Sequence, residues 1–236
     1  EVMFRAMGVD VTEEGLAVTV RPGRLKALDV TVPADISSAA YWLVAAVCHT
    51  DAEVRVRNVG VNPTRTGILD ALHAMGADIV MENRRDEGGE PVADLVARSS
   101  DLHGTVISGD QIPRLVDEVP VLALAACFAS GTTIIRDASE LRVKESDRLQ
   151  ASRIELSRLG AQVEELEDGL KINGGRVLKG AICRTYADHR IAMTVGVAGL
   201  LATGQTTVRA AETAGVSYPS FWSDLDGLGS ESEESE

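Results

Sequence analysis

The sequence repeats one unit, and the first half of that unit contains a helix-length segment that is apolar on nearly every side. Each copy has an acidic residue, then the apolar segment, then a short run rich in β-branched residues. The copies begin at Ala34, Val116 and Ala187. A helix that is apolar all round is buried. We therefore expect three buried helices at the centre of a domain, starting near Ile36, Val119 and Ile191.

The other half of the unit is an amphipathic helix that closes in Met-Gly or Leu-Gly. Its copies begin at Gly67, Ser152 and Ser220. The glycines that follow them are natural helix C-caps and lie at Gly76, Gly160 and Gly229. The segment from Glu1 to Val20 matches this second half, with Gly8 in the same role. The chain is thus expected to start inside a repeat, as the C-terminal portion of a longer protein.

Composition limits the classes of protein to which this chain can belong. The 236 residues carry a formal net charge of -13, which disfavours nucleic acid as the main partner because binding a phosphate backbone needs a basic face. No apolar run is long enough to span a membrane.

The three cysteines, Cys48, Cys127 and Cys183, are widely spaced in apolar surroundings. We interpret them as reduced core residues of a cytoplasmic protein and not as a disulfide framework or zinc site. The acidic tail, residues 230–236, is expected to be disordered.

A charged stretch, "ELRVKESDRLQ" from Glu140 to Gln150, separates apolar segments. Its spacing would place Lys144, Glu145 and Arg148 on one face of a helix start. Two cations beside a carboxylate could bind a phosphate or carboxylate while Glu145 moves a proton. The alternative is an ordinary exposed helix start with local ion pairs that contribute little to stability.

The acids near the starts of the buried helices also have two interpretations. Asp35, Asp117 and Asp188 could simply be N-caps. If the helices run parallel, however, their N-terminal ends gather at one face, where the helix dipoles favour anions. His189 and Arg190 then lie at that face, although His189 could also be a satisfied core or cap histidine.

A loop, "NPTRTG" from Asn62 to Gly67, is expected to lead into a helix. Its Arg65 could contact an anion, and helix capping is at least as good an explanation for the two threonines beside it. The dinucleotide-binding, Walker A, zincin and serine-hydrolase motifs are absent from the sequence.

The segments "LRVKESDR", "DHRIAM", "NPTRTG" and "DISSAAYWLVAA" together closely resemble the EPSP synthases. The resemblance implies an α/β fold. Its domain is an inside-out α/β barrel of three repeated β/α units around buried parallel helices. It also implies that residues 1–33 end an N-terminal domain and that residues 34–229 form the C-terminal one. Such enzymes have two domains of this kind, so the N-terminal domain is an expected partner.

The resemblance further implies a reaction. EPSP synthases transfer the enolpyruvyl group of phosphoenolpyruvate to the 5-hydroxyl of shikimate 3-phosphate, releasing phosphate, without a metal or organic cofactor. By that likeness Asp117 accepts the hydroxyl proton, with Lys144 assisting and touching shikimate 3-phosphate. Glu145 protonates and later deprotonates the methyl carbon. Arg148 and Arg190 hold phosphoenolpyruvate, and His189 lines the same pocket.

The sequence departs from this family pattern at Val216, where many members carry a lysine that contacts phosphoenolpyruvate. The resemblance also covers only about half of such an enzyme, so the chain alone is expected to be inactive.

Two other functions remain open. A UDP-N-acetylglucosamine 1-carboxyvinyltransferase would perform the same transfer on another acceptor, but the charged motifs favour the shikimate enzyme. A non-catalytic binding module of the same fold would keep these charged residues without using them.

Overall fold

The computed structural model describes residues 1–228. The expected disordered tail and the proposed cap Gly229 lie outside this range. The described chain is an α/β structure with helices at its centre and small sheets around them.

Three central helices carry the core, as the repeat predicted. They are α2 (Ile36–Cys48), α4 (Val119–Phe128) and α6 (His189–Leu201), and each packs against the other two. In α4, nine of the ten residues are buried, so this helix has no solvent-facing side. The helix α6 begins at His189 and not at Ile191, because the Asp188 side chain caps it by accepting a bond from the Arg190 N–H.

Each central helix connects two parallel strand segments. Isolated parallel bridges join Ala34 to Val59 around α2, His103 to Ser130 around α4, and Lys179 to Thr203 around α6. The last two bridges continue into the parallel pairs β6 (Val106–Ile107) with β7 (Thr132–Ile135) and β10 (Ile182–Arg184) with β11 (Thr207–Arg209). The three crossovers confirm the repeat.

Glycine allows the two strand segments of these crossovers to approach closely. A Cβ atom on Gly104 would lie 2.3 Å from the Thr132 carbonyl oxygen. At the equivalent place in the next unit, a Cβ atom on Gly180 would lie 2.2 Å from the Gln205 carbonyl oxygen. Any side chain here would force the strands apart.

Antiparallel strands complete the sheets of the first two units. In the first unit, β5 (Glu90–Arg98) lies between β3 (Glu53–Gly60) and β4 (Asp78–Glu87). In the second, β7 pairs with β9 (Leu170–Asn173), and β9 pairs with β8 (Gln162–Glu165). Within the described residues the third sheet contains only β10 and β11.

The amphipathic helices lie outside the core bundle, as expected. They are α3 (Gly67–Ala74), α5 (Arg148–Arg158) and α7 (Phe221–Gly227). Gly76 and Gly160 follow α3 and α5 with φ angles of 91° and 97°, which confirms their role at the helix ends. These conformations strain any residue with a Cβ atom.

The first 33 residues form a short helix and a hairpin. The helix α1 (Val2–Ala6) is followed by β1 (Val11–Glu14), which pairs antiparallel with β2 (Ala17–Val20). Residues 21–33 contain no helix or strand. The helix α1 buries none of its residues, in contrast to the three central helices.

Most of the aromatic side chains form one cluster between α2 and α7. Trp42 stacks on Phe221 with ring centroids 5.2 Å apart, and its indole N–H donates to the Tyr218 hydroxyl over 3.0 Å. Tyr41 and Trp222 pack edge-on against Phe221. The cluster fixes the C-terminal helix against the core.

The cysteines are free, with Cys127 and Cys183 buried and Cys48 partly buried. Among residues 1–228, none of the helices has the length and apolar character needed to cross a membrane.

Candidate active site

The N-terminal ends of the three central helices meet at one face. From α6, Arg190 Nη1 donates to the Asp117 carbonyl oxygen over 3.2 Å and contacts Glu118 Oε1 at 3.4 Å, just before α4. The start of α2 packs against the same turn, where Ser37 lies beside the Glu118 carboxylate. The three ends are therefore in direct contact.

The centre of this face is the guanidinium of Arg148, which is only 2% exposed. It donates to three carboxylates: Asp188 at 2.8 Å, Asp117 at 3.0 Å and Glu145 at 2.6 Å. Asp188 is fully buried and also accepts from the Ser146 hydroxyl at 3.0 Å. One cation thus gathers acids from three separate segments of the chain.

Burial and charge act in opposite directions on these two central groups. Burial alone would lower the pKa of Arg148, but the bond to Asp188 and the nearby carboxylates raise it overall. Burial alone would raise the pKa of Asp188, but the guanidinium of Arg148 lowers it overall. Both groups are therefore charged at neutral pH.

Lys144 and Glu145 reach the site from a loop. The helix α5 begins at Arg148, and Lys144 has an extended backbone, so these two residues do not share a helix face with Arg148 as the spacing predicted. The chain turns here because the Asp147 side chain caps α5 by accepting from the Gln150 N–H. This stretch is therefore a loop that runs into a helix.

The loop residues contact groups from the other segments. Lys144 Nζ lies 3.8 Å from Asp117 Oδ1 and 2.7 Å from Glu140 Oε1. Glu145 Oε1 lies 3.8 Å from His189 Nδ1, and the Glu145 side chain is 47% exposed. A proton donor or acceptor, a lysine and an imidazole therefore share one open face.

His189 is held in its neutral form. Burial lowers its pKa, and the adjacent positive charge of Arg190 lowers it further, against the smaller opposing effects of Asp188 and Glu145. At neutral pH the imidazole can donate or accept one hydrogen bond without adding charge.

The three acids near the helix starts have different roles. Asp35 and Asp188 are N-caps, accepting from the Ser38 and Arg190 N–H groups at 3.0 and 2.9 Å. Asp117 is not a cap: it lies in the 3-10 turn Val116–Glu118, and α4 has no side-chain cap. Its carboxylate is therefore free to face Arg148 and Lys144.

Arg65 lies at the edge of this face. Its Nη2 donates to Ser37 Oγ at 3.2 Å and lies 3.6 Å from Asp35 Oδ1. Thr66 occupies the N-cap position of α3 but makes no capping bond through its side chain, so capping does not explain the loop. A small cleft beside Arg190 is lined by Asp35, Ser37, Ser38, Tyr41, Met193 and Ser217.

The sequence did not single out Glu118 as a site residue. This carboxyl group is only 3% exposed, and burial raises its pKa, while Ser37 and Arg190 partly offset that effect. Its position next to Asp117 in the sequence is the signal that could have identified it. Asp188 was recognised only as an acid at a helix start, although it is the partner of Arg148.

Val216 is 78% exposed and directly precedes Ser217, which lines the cleft beside Arg190. The position of the family lysine is thus at the rim of the site. Within residues 1–228, no group of three or more His, Cys, Asp or Glu side chains is placed to hold a metal ion.

Comparison with known proteins agrees with this geometry. The family model described as EPSP synthase (3-phosphoshikimate 1-carboxyvinyltransferase) matches residues 1–225. The 3-phosphoshikimate 1-carboxyvinyltransferase of Gloeobacter violaceus is 57% identical over 226 residues, which are 95% of this chain and 52% of the relative. That of Synechococcus elongatus is also 57% identical, over 94% of this chain and 50% of the relative.

Solved structures give the same result. An EPSP synthase from Acinetobacter baumannii superposes with a TM-score of 0.91 at 40% identity, covering 95% of this chain and 52% of that one. The enolpyruvyl transferase NikO from Streptomyces tendae, at 23% identity and a TM-score of 0.75, shares the fold. The chain spans about half the length of the curated relatives it matches. It belongs to the EPSP synthase family.

Proposed function

We propose that this chain supplies one half of the active site of a 3-phosphoshikimate 1-carboxyvinyltransferase. The complete enzyme transfers the enolpyruvyl group of phosphoenolpyruvate to the 5-hydroxyl of shikimate 3-phosphate and releases phosphate. The observation that carries the proposal is the convergence of Asp117, Glu145 and Asp188 on the buried guanidinium of Arg148, with Arg190 alongside.

Asp117 is the proposed base for the acceptor hydroxyl. It has no capping role, and Lys144 and Arg148 both lie beside its carboxylate. These two cations orient the carboxylate within the site. Lys144 also has the reach to contact the phosphate of shikimate 3-phosphate from the loop.

Glu145 is the proposed proton donor to the methylene carbon of phosphoenolpyruvate. Its addition of a proton and the attack of the 5-hydroxyl oxygen give a tetrahedral intermediate. Glu145 then removes a proton from the methyl group as the carbon–oxygen bond to phosphate breaks, and the proton taken up by Asp117 leaves with the phosphate. Both carboxyl groups thereby return to their starting states.

Arg148 and Arg190 are the proposed ligands of phosphoenolpyruvate, with Arg65 at the edge of the site and His189 lining it. The guanidinium of Arg148 already donates to carboxylates, so an incoming anion competes with them for its N–H groups. The half-exposed Glu145 is the partner most easily displaced. Binding of the anion would then release Glu145, which takes up a proton from solvent beside the new negative charge and can pass it to the methylene carbon.

The remaining substrate contacts are assigned to the N-terminal domain. Acids outnumber cations around Arg148, and a site for two anionic substrates needs further positive groups. We therefore propose that the chain alone is inactive, that the N-terminal domain is its partner, and that the enzyme acts in the cytoplasm without metal or cofactor. Neither nucleic acid nor a membrane is a proposed partner.

The test measures phosphate release from phosphoenolpyruvate and shikimate 3-phosphate. The chain is assayed alone, mixed with a separately produced N-terminal half, and mixed as the Glu145→Gln variant. Glu164→Gln is the matched control, because Glu164 is an exposed acid on β8 that pairs with Lys171 of β9.

Activity only in the mixture, lost with Glu145→Gln and kept with Glu164→Gln, supports the proposal. If halves that demonstrably associate remain inactive, the chain is better described as a non-catalytic binding module. Activity that survives Glu145→Gln would remove Glu145 from proton transfer.

A further inference from the structure

The two residues directly before the site motif have an unusual backbone. Tyr186 and Ala187 have φ angles of 56° and 55°, in the left-handed region that residues with a Cβ atom rarely adopt. They precede Asp188, His189 and Arg190, so their conformation sets the direction in which these three residues leave the strand β10. Such strain persists only where surrounding contacts hold it.

A buried carboxylate provides those contacts. Glu155 on α5 is only 1% exposed, and its Oε1 accepts from the Tyr186 hydroxyl at 2.7 Å. Its Oε2 accepts from the Arg184 N–H at 3.1 Å and lies 3.2 Å from Arg158 Nε. Burial and this carboxylate raise the pKa of Tyr186 to about 12, so its hydroxyl remains a donor across the working pH range.

The same helix holds the segment a second time. Arg148 and Glu155 are seven residues apart on α5, two turns along one face. Glu155 binds the segment at Arg184 and Tyr186, and Arg148 binds it at Asp188. Tyr186 is thus itself one attachment point, and Ala187 lies between it and Asp188.

We propose that Glu155 and Tyr186 are positioning residues, which fix His189 and Arg190 relative to Glu145 and Asp117 by holding the strained segment 186–187. Neither residue is among the groups assigned to substrate or proton transfer. The inference rests on the proposed function for its catalytic meaning, while the geometry it concerns is a property of this chain alone.

The first experiment follows the four histidines of the folded chain by NMR as the pH is changed. Tyr186→Phe removes only the hydroxyl, and Tyr218→Phe is the control, since the Tyr218 hydroxyl bonds Trp42 and not Glu155. The pKa of His189 is set by its burial together with Arg190, Asp188, Glu145 and Arg148. A displaced segment exposes the imidazole, and its midpoint rises by about half a unit or more.

The titration midpoint of His189 is compared with those of the other histidines in the same spectra. His49, His73 and His103 are internal references and are expected to keep their midpoints in both variants. An unchanged His189 midpoint in a folded Tyr186→Phe variant would overturn the proposal. So would an equal shift in Tyr218→Phe, because the effect would then be general.

A second substitution separates positioning from simple packing. Ala187→Gly, added to Tyr186→Phe, lets position 187 take its positive φ without strain. The His189 midpoint is then expected to return most of the way to its original value. A further rise would mean that strain relief is not the mechanism. Glu155→Gln, which keeps one acceptor oxygen, is the alternative variant should Tyr186→Phe fail to fold.

Activity is measured separately in the mixture with the N-terminal half. Tyr186→Phe is expected to lower kcat by about tenfold, because a small misplacement of reacting groups slows a reaction by about this factor or more. A mixture inactive even with the unaltered chain would contradict the proposed function. The NMR result would still decide the positioning role, so the two failures are distinguishable.

Discussion

The three central helices have very different surroundings at their two ends. At the N-terminal ends, Arg148 and Arg190 lie among Asp117, Glu118 and Asp188, and their side chains contact one another directly. At the C-terminal ends, none of the three helices has a basic residue in its last turn. The chain leaves each of the three helices through a residue with an extended backbone, at His49, Ala129 and Ala202.

The larger cavity lies at the C-terminal ends. Its volume is about 390 Å³, and it is lined by residues that include Ala45, Ala46, His49, Asp51 and Leu200. The cleft beside Arg190, at the opposite ends, has a volume of only about 20 Å³. In the candidate site the cations and acids contact each other, whereas the larger cavity has no arginine or lysine in its lining. Placement of charged groups, and not cavity size, distinguishes the candidate site.

The largest expected difference between the ends concerns stability. Asp188→Ala leaves Arg148 buried without its main partner and is expected to cost about 3–5 kcal/mol in free energy of unfolding. Asp51→Ala, in the cavity at the other end, should change it by no more than about 0.5 kcal/mol. Urea unfolding of both variants measures this. Equal losses would show that the two ends do not differ energetically.

A smaller contrast concerns the two ends of α2. Asp35→Ala removes the bond to the Ser38 N–H and is expected to cost about 1 kcal/mol. His49→Ala changes the exposed residue at the C-terminal end of the same helix and should have less than half of that effect. Thermal unfolding compares the two. A larger loss for His49→Ala would reverse the ranking.

Glu118 gives the N-terminal end a specific pH dependence. Because its pKa is raised in the folded chain, folding favours its protonated form. The stability from this group is complete below its ordinary pKa and is lost as the pH rises through the raised value. Glu118→Gln should flatten the profile in that window, and Glu53→Gln at the other end should not. Urea midpoints from pH 4 to 7 test this, and identical profiles would contradict it.

His189 should produce the smallest effect, with the opposite sign. Its lowered pKa means that the unfolded chain binds more protons around pH 6. The stability from this group is complete above its ordinary pKa near 6.5 and is lost as the pH falls through the lowered value. His189→Gln should remove that loss, and His49→Gln should retain it. Urea midpoints measured over the same pH series distinguish the two variants.

The sequence predicted the parts of the fold that depend on local patterns. Segments that are apolar all round identified α2, α4 and α6, and glycine after a helix identified Gly76 and Gly160. The start of α5 was placed too early because the spacing of Lys144, Glu145 and Arg148 fits a helix equally well. The capping bond from the Gln150 N–H to Asp147 decides the boundary, so Asp147 was the local signal that could have placed it correctly.

The candidate site was predictable in its members but not in its contacts. The charged runs and the family resemblance together singled out Asp117, Glu145, Arg148 and Arg190 as candidates. Nothing in the spacing indicates that Arg148 pairs with Asp188, forty residues away, or that Glu155 holds Tyr186. Both pairs form because α5 packs against α6 and β10, and packing between distant segments leaves no local signal.

The aromatic cluster gives the chain a built-in optical reporter. The only two tryptophans of the sequence, Trp42 and Trp222, both contact Phe221. Trp42 is hydrogen-bonded to Tyr218, which directly follows a residue lining the cleft beside Arg190. Indole emission responds to the polarity and rigidity of its surroundings. The intrinsic fluorescence of this chain therefore reads out the rim of the site, without any added label.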